Sequence, residues 1–292
     1  MTTIYQEITD SIISELEKGA TPWVKPWNAP ASADKNVVSG KAYRGINRLL
    51  LAMISGIKGY SNPAWATYDQ WANLGGNVRK GEKAAKIIFF SQAKDKKAEK
   101  AGEDKFYQFA RAYCVFNVEQ VEGIDIIASE DTPISDNQKI DACEQRIIAT
   151  QAKYTIGGDT ACYIPSIDSI RMPALNTFQS AEHYYATFFH ELTHWTSEKT
   201  RCDRDLSKGR FGNADYAFEE LVAELGAAFL CQQHGIKGDL RHAGYIESWL
   251  KCLKADSRAI FKASALAQQA SDFLLNCGTD KQELIEDELL AA

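Results

Sequence analysis

Apolar residues at Ile4, Ile8, Ile12, Ile13 and Leu16 recur on one face of a helix, and Gly19 closes that run. Two prolines in the following Thr21–Trp27 stretch predict an extended, exposed segment. The pattern then predicts a helix over Asn47–Ile57 and a short one over Tyr68–Leu74, stopped by Gly75 and Gly76. Two β-rich runs follow, Ala84–Ser91 and Phe106–Val118. The charged stretch 94–105 between them reads as a solvated hairpin loop.

The second half begins with a helical pattern over Asp136–Ala152. Short strands fit 153–156, 161–164 and 168–172, separated by Gly157-Gly158 and Pro165. Ser180 is a good N-cap for a helix running through Thr196, and further helices fit 214–234, 242–254 and 256–276. Between the halves, Ser129–Gln138 is polar and carries Pro133, as a linker does. The expected organisation is a domain at 1–128, a linker at 129–138 and a second domain at 139–292. The fold class is α+β, a small α+β domain followed by a mainly helical one with a short β-sheet.

Composition narrows this picture without changing it. A chain of 292 residues, 45% hydrophobic and 25% charged, is globular and large enough for two modest domains. Its net charge of −6 speaks against a uniformly basic surface that grips duplex DNA. Divided at the linker, however, residues 1–128 carry 17 basic and 14 acidic groups and the rest carry 16 and 25. The first domain is therefore net positive. No apolar run reaches the roughly 18–20 residues of a membrane span, and the N-terminus lacks a signal-peptide pattern. Seven scattered cysteines with no C-x-x-C pair read as free thiols in a reducing compartment. The expectation is a cytoplasmic monomer without membrane contact.

His190-Glu191-Leu192-Thr193-His194 is an H-E-x-x-H motif inside a predicted helix. The i, i+4 spacing stacks both imidazoles on one face, where they can share one Zn²⁺ or another divalent ion. Glu191, beside them, is the candidate catalytic base that takes a proton from the attacking water. A catalytic zinc needs a third protein ligand, and no third histidine follows closely. Glu220 and Glu224 are four apart on a downstream helix, so one can ligate while the other orients a histidine. The small residues Ala223, Gly226, Ala227 and Ala228 around Glu224 favour it as the ligand, and spacing alone leaves both open.

The first domain interleaves aromatic and basic residues: Trp23, Trp27, Tyr43, Arg44, Trp65, Tyr68 and Trp71, then Arg79, Lys80 and Lys83 in a glycine-rich turn. Rings on which bases stack, beside cations that track phosphates, hold single-stranded DNA without reading sequence. Gly76 and Gly81 suggest a P-loop, but Glu82 stands where its lysine belongs, which argues against a nucleoside-triphosphate site.

Several segments together resemble the ArdC-type antirestriction proteins. They include Ile4–Asp10, Gly19–Trp23, Tyr43–Asn47, Asn62–Trp65, Gly75–Lys83 and Val115–Gln120 in the first half. His190–His194, Tyr216–Glu224 and Trp249–Asp256 carry it through the second. The resemblance implies a single-stranded-DNA-binding domain, similar to the front of TraC-type primases, joined to a zincin-type metallopeptidase domain. It further implies that incoming mobile-element DNA is shielded from host restriction, and that a host protein is a candidate peptidase substrate. A primase polymerising domain has no counterpart in the chain. A DNA-shielding protein with a structural, non-catalytic metal is the alternative, and a toxin-like protease is a third reading.

Overall fold

The computed structural model describes residues 3–19, 23, 33–94, 106–124, 136–205, 214–236 and 245–279. The chain divides into two compact units, 1–131 and 132–292, with the division inside the polar 129–138 stretch. Among the described residues no helix is long and apolar enough to cross a membrane. All seven cysteines are free thiols.

In the first unit, helix α1 (Ile4–Glu17) starts at Thr3, whose hydroxyl accepts from the Gln6 N–H, and buries Ile8, Ile12, Ile13 and Leu16. Strand β1 (Lys35–Asn36) precedes α2 (Ile46–Lys58). Strand β2 (Ala64–Ala66) runs into α3 (Tyr68–Asn73), held by a Thr67/Gln70 capping box, and Gly75 leaves that helix at φ +87°. Strands β3 (Asn77–Val78) and β6 (Val121–Glu122) make a small ladder of their own. The long strands β4 (Ala85–Lys94) and β5 (Phe106–Asn117) form an antiparallel hairpin within a sheet ordered β1-β2-β5-β4. The Asn47 side-chain amide both donates to Ile88 O at 2.8 Å and accepts from Ile88 N at 2.6 Å. It thereby takes the place of a neighbouring strand along the β4 edge.

The second unit opens with α4 (Asp136–Thr150). A three-stranded sheet follows, ordered β7 (Lys153–Ile156), β9 (Ser169–Met172), β8 (Cys162–Ile164). Strand β7 pairs parallel with β9, and β8 pairs antiparallel with it as a short outer strand. Helix α5 (Ala181–Trp195) packs Phe188, Phe189 and Leu192 into a core shared with Ile170, Met172 and Leu230. Helices α6 (Ala214–His234), α7 (Ile246–Ala255) and α8 (Ala259–Asn276) complete the unit.

Candidate functional site

The metal constellation begins with a close helix crossing. Ser180 caps α5, accepting from the His183 N–H at 3.2 Å, and the apolar face of the helix fixes its rotation in the core. Helix α6 approaches through Gly226: a Cβ there would lie 2.6 Å from Thr193 Cγ2 and 2.7 Å from its Oγ1. Only a residue without a side chain lets the helices meet so closely. His190 and His194 then bring their Nε2 atoms to 3.2 Å of each other. Glu220 sits 3.4 Å from His190 Nε2 through Oε2 and 3.6 Å from His194 Nε2 through Oε1.

Those three separations test whether an ion fits. Ligand atoms about 2.0–2.1 Å from a tetrahedral ion lie roughly 3.3–3.4 Å apart. The Nε2–Nε2 separation of 3.2 Å and the 3.4 Å from His190 Nε2 to Glu220 Oε2 lie close to that value, the other carboxylate oxygen standing 3.6 Å from His194 Nε2, and two imidazoles with one carboxylate are the donors a divalent transition ion prefers. Two ring nitrogens at this distance share either a proton or an ion between them. Burial opposes charge on His190, but Glu220, Glu224 and Glu191 outweigh it and push its pKa up. Burial likewise opposes charge on Glu220, and the two histidines outweigh it and hold that carboxyl well below its ordinary range. Among the described residues, His190, His194 and Glu220 form a group able to hold a metal ion.

The other nitrogen of each ring faces a carboxylate. Glu224 Oε2 lies 3.6 Å behind His190 Nδ1, and Glu219 Oε1 lies 3.2 Å behind His194 Nδ1. Both arrangements turn Nε2 toward the centre. Arg204 clamps Glu219 with Nε at 3.1 Å and Nη2 at 3.0 Å, and also donates to Thr193 O and Thr196 Oγ1. Of the two acids, Glu220 is the one near both Nε2 atoms and Glu224 the one near His190 Nδ1, whereas the small residues favour Glu224 as the ligand. Those residues set the closeness of the helices, while the turn occupied by Glu220 is the one that faces both Nε2 atoms. Glu219 and Arg204 lie 15 residues apart, and no spacing in the sequence points to their pairing.

His190, Glu191, His194 and Glu220 line a cavity of about 370 Å³ together with Tyr163, Tyr216 and Tyr245. Glu191 Oε2 accepts from the Tyr163 N–H at 2.7 Å, so this amide of β8 points into the cavity rather than toward β9. Tyr216 and Tyr245 bring their hydroxyls to 3.1 Å. Burial, Tyr245 and Glu220 all raise the Tyr216 pKa, which keeps it a neutral donor. Asp205, Asp215 and Glu219 add further acids, and among the described residues the lining contains no lysine or arginine. The cavity is built for cationic charge.

Residues 141–266 match the zincin-like metallopeptidase family MPTase-PolyVal, and residues 2–116 match the N-terminal domain of anti-restriction factor ArdC. The metal-free crystal structure of the antirestriction ArdC protein from plasmid R388 has a TM-score of 0.79 and 40% identity. The match covers 94% of this chain and 97% of that one. The chain belongs to the ArdC family of antirestriction proteins. The Mn(II)-bound structure of the R388 protein gives a TM-score of 0.78 at 39% identity, over 96% of this chain and all of that one. Protein y4eC of Sinorhizobium fredii (strain NBRC 101917 / NGR234) is 38% identical over 96% of this chain and 94% of its own length. A DNA primase TraC of Escherichia coli is 36% identical over 93% of this chain, which spans only 27% of that primase. A divalent metal therefore fits both the zincin-like domain and the donor set of this ArdC-family chain.

In the ArdC-type first unit the aromatic residues divide sharply. Trp65 and Trp71 are fully buried and Trp23 is 4% exposed. The Trp65 Nε1–H donates to Asp34 at 3.0 Å and the Trp71 Nε1–H to Phe116 O at 2.9 Å. Trp65 and Trp71, buried and hydrogen-bonded at the edge, and the buried Trp23 belong to the core, and the expectation that these three stack on bases is corrected accordingly. Trp27 lies outside the described residues. Tyr43 is half-buried, its hydroxyl accepting from Asn36 Nδ2 at 3.4 Å. Tyr68 is 53% exposed with its ring edge-on to Phe116. Arg44, Arg79, Lys80 and Lys83 are exposed, and Arg79 is paired with Glu82 at 2.9 Å.

Proposed function

We propose that this chain protects incoming mobile-element DNA from host restriction in the cytoplasm, binding single-stranded DNA through its first unit and acting as a zinc-dependent metallopeptidase through its second. The observation that carries the peptidase reading is the convergence of both Nε2 atoms and Glu220 at a cavity whose wall holds Glu191. When bound, a divalent ion supplies a Lewis acid that polarises a peptide carbonyl. His190, His194 and Glu220 hold it, and Glu224 and Glu219 keep the two rings turned inward. Glu191 takes a proton from the attacking water and returns it to the departing amine. Tyr216, protonated and facing the cavity, donates a hydrogen bond to the oxygen on which negative charge grows.

One observation favours a structural metal without turnover. The Glu191–Tyr163 hydrogen bond ties α5 to β8, a structural task for the same carboxylate. Glu191→Gln separates the two, since the amide oxygen still accepts that bond but is no base. In a DNA-transfer assay against a restricting host, the peptidase reading expects protection to collapse while metal content and fold persist. Full protection by Glu191→Gln would leave the shielding reading in its place. Single-strand binding is measured separately, by titrating the full chain into labelled oligonucleotides at several salt concentrations.

A further inference from the structure

The hairpin of the first unit carries rings that the core leaves in solvent. Residues directly opposite each other on β4 and β5 share a face, and one face begins with Ala85 and Val115, buried against Leu51 and Trp65. Farther along, the same face presents Ile87 opposite Tyr113, then Phe89 opposite Arg111, then Ser91 opposite Phe109. Here burial ends. Phe89 is 57% exposed and Tyr113 is 42% exposed. Their rings meet edge-on at 6.3 Å, and the Arg111 guanidinium lies 5.1 Å from the centre of the Phe109 ring.

Two further facts narrow what this face meets. Neither strand contains an acidic residue, and since Lys86 lies on the opposite face and is paired with Glu7, Arg111 is the cation that this face offers to a polyanion. The β4 edge is closed at Ile88 by the Asn47 amide, which disfavours an added strand from a peptide or a second copy. Exposed rings beside a guanidinium, with strand addition blocked, are the elements of a stacking surface for unpaired bases.

We propose that the Phe89–Tyr113–Arg111 face of the hairpin is the platform on which bases of single-stranded DNA stack. Phe89 and Tyr113 offer ring faces, and Arg111 offers a cation to the sugar-phosphate backbone. The proposal rests on the single-strand binding proposed above and adds where it occurs. It also gives the buried tryptophans a task, since Trp65 anchors the root of the hairpin that holds the rings out.

The test uses the full chain with fluorescence anisotropy on labelled oligo(dT) and on an abasic strand of equal length. Wild type is expected to prefer oligo(dT). The Phe89→Ala/Tyr113→Ala pair should lose roughly ten- to a hundredfold on oligo(dT) and change little on the abasic strand. Tyr113→Phe keeps the ring and should bind as wild type does. A folded double variant that binds oligo(dT) as tightly as wild type overturns the platform and leaves single-strand binding standing. A wild type that binds no single strand removes both. Should the double variant lose its circular-dichroism signature, photocrosslinking of a bromouracil strand to wild type decides instead. Adducts at Phe89 or Tyr113 support the platform, and adducts confined to other segments overturn it. A wild-type dimer that dissociates in the double variant, with DNA affinity unchanged, would assign the face to a second copy.

Discussion

Gly226→Ala tests whether the helix crossing governs the metal site. In an ordinary helix interior this change stabilises by about 0.5–1 kcal/mol through backbone entropy. Here the new Cβ would lie 2.6 Å from Thr193 Cγ2, where carbon atoms normally sit about 3.5–4.0 Å apart. Rotating Thr193 away breaks its hydrogen bond to Phe189 O, now 2.8 Å, so α6 must retreat by about 1 Å. Overpacking of that kind costs about 1–3 kcal/mol, which outweighs the entropic gain and leaves a net loss of roughly 0.5–2 kcal/mol. For a unit of this size that lowers Tm by roughly 1–8 °C. The larger effect falls on the metal, because Glu219, Glu220 and Glu224 all ride on α6. A displacement beyond about 0.5 Å spoils a ligand set, so divalent-ion affinity should fall tenfold or more by calorimetric titration. Thr193→Ala in the same chain removes the two nearest atoms and should restore much of both. A single variant as stable and as tight for metal as wild type would show that the crossing at Gly226 does not set the metal site.

Three further outcomes follow from the packing. Arg204→Ala strips the half-buried Glu219 carboxylate of its clamp and should cost about 1–3 kcal/mol in chemical denaturation. Trp71→Phe loses the Phe116 hydrogen bond and buried volume; it should destabilise the first unit by about 1–3 kcal/mol while folded protein binds single strands as before. Asp168 sits at φ +47° and is held below the ordinary aspartate range chiefly by its hydrogen bonds from Arg201. Asn tolerates that backbone, so Asp168→Asn removes only the charge. A depressed carboxyl stabilises above its unfolded pKa of about 3.9 and loses that contribution as pH falls through its folded value. The Tm difference between wild type and Asp168→Asn should therefore be present at neutral pH and close in acid; a difference that widens in acid would contradict the pairing.

The helices and longer strands were legible because they repeat a period long enough to read. The apolar spacing of α1 and the capped run from Ser180 lie within a residue or two of the observed elements. Strands β1, β2, β3 and β6, of two or three residues each, carry no period and exist only through their partners. The H-E-x-x-H spacing identified the two histidines because one helix carries both. Glu219, Glu220 and Glu224 could not be ranked from the sequence, since the crossing of α6 over α5 decides which carboxylate meets which nitrogen. Aromatic residues near basic ones likewise say nothing about which rings are buried. Trp65 and Trp71 went into the core, whereas Ile87-Ile88-Phe89-Phe90 reads as an apolar run and ends with two exposed rings.

Whether Glu220 holds the ion is decided by metal stoichiometry and affinity of the full chain, compared with Glu220→Ala and Glu224→Ala. Wild type should bind one divalent ion per chain. Glu220→Ala should lose the ion, and Glu224→Ala should keep it with affinity lowered roughly ten- to a hundredfold, as for a residue that orients a ligand. Retention of the ion by Glu220→Ala together with its loss from Glu224→Ala would contradict the site described here.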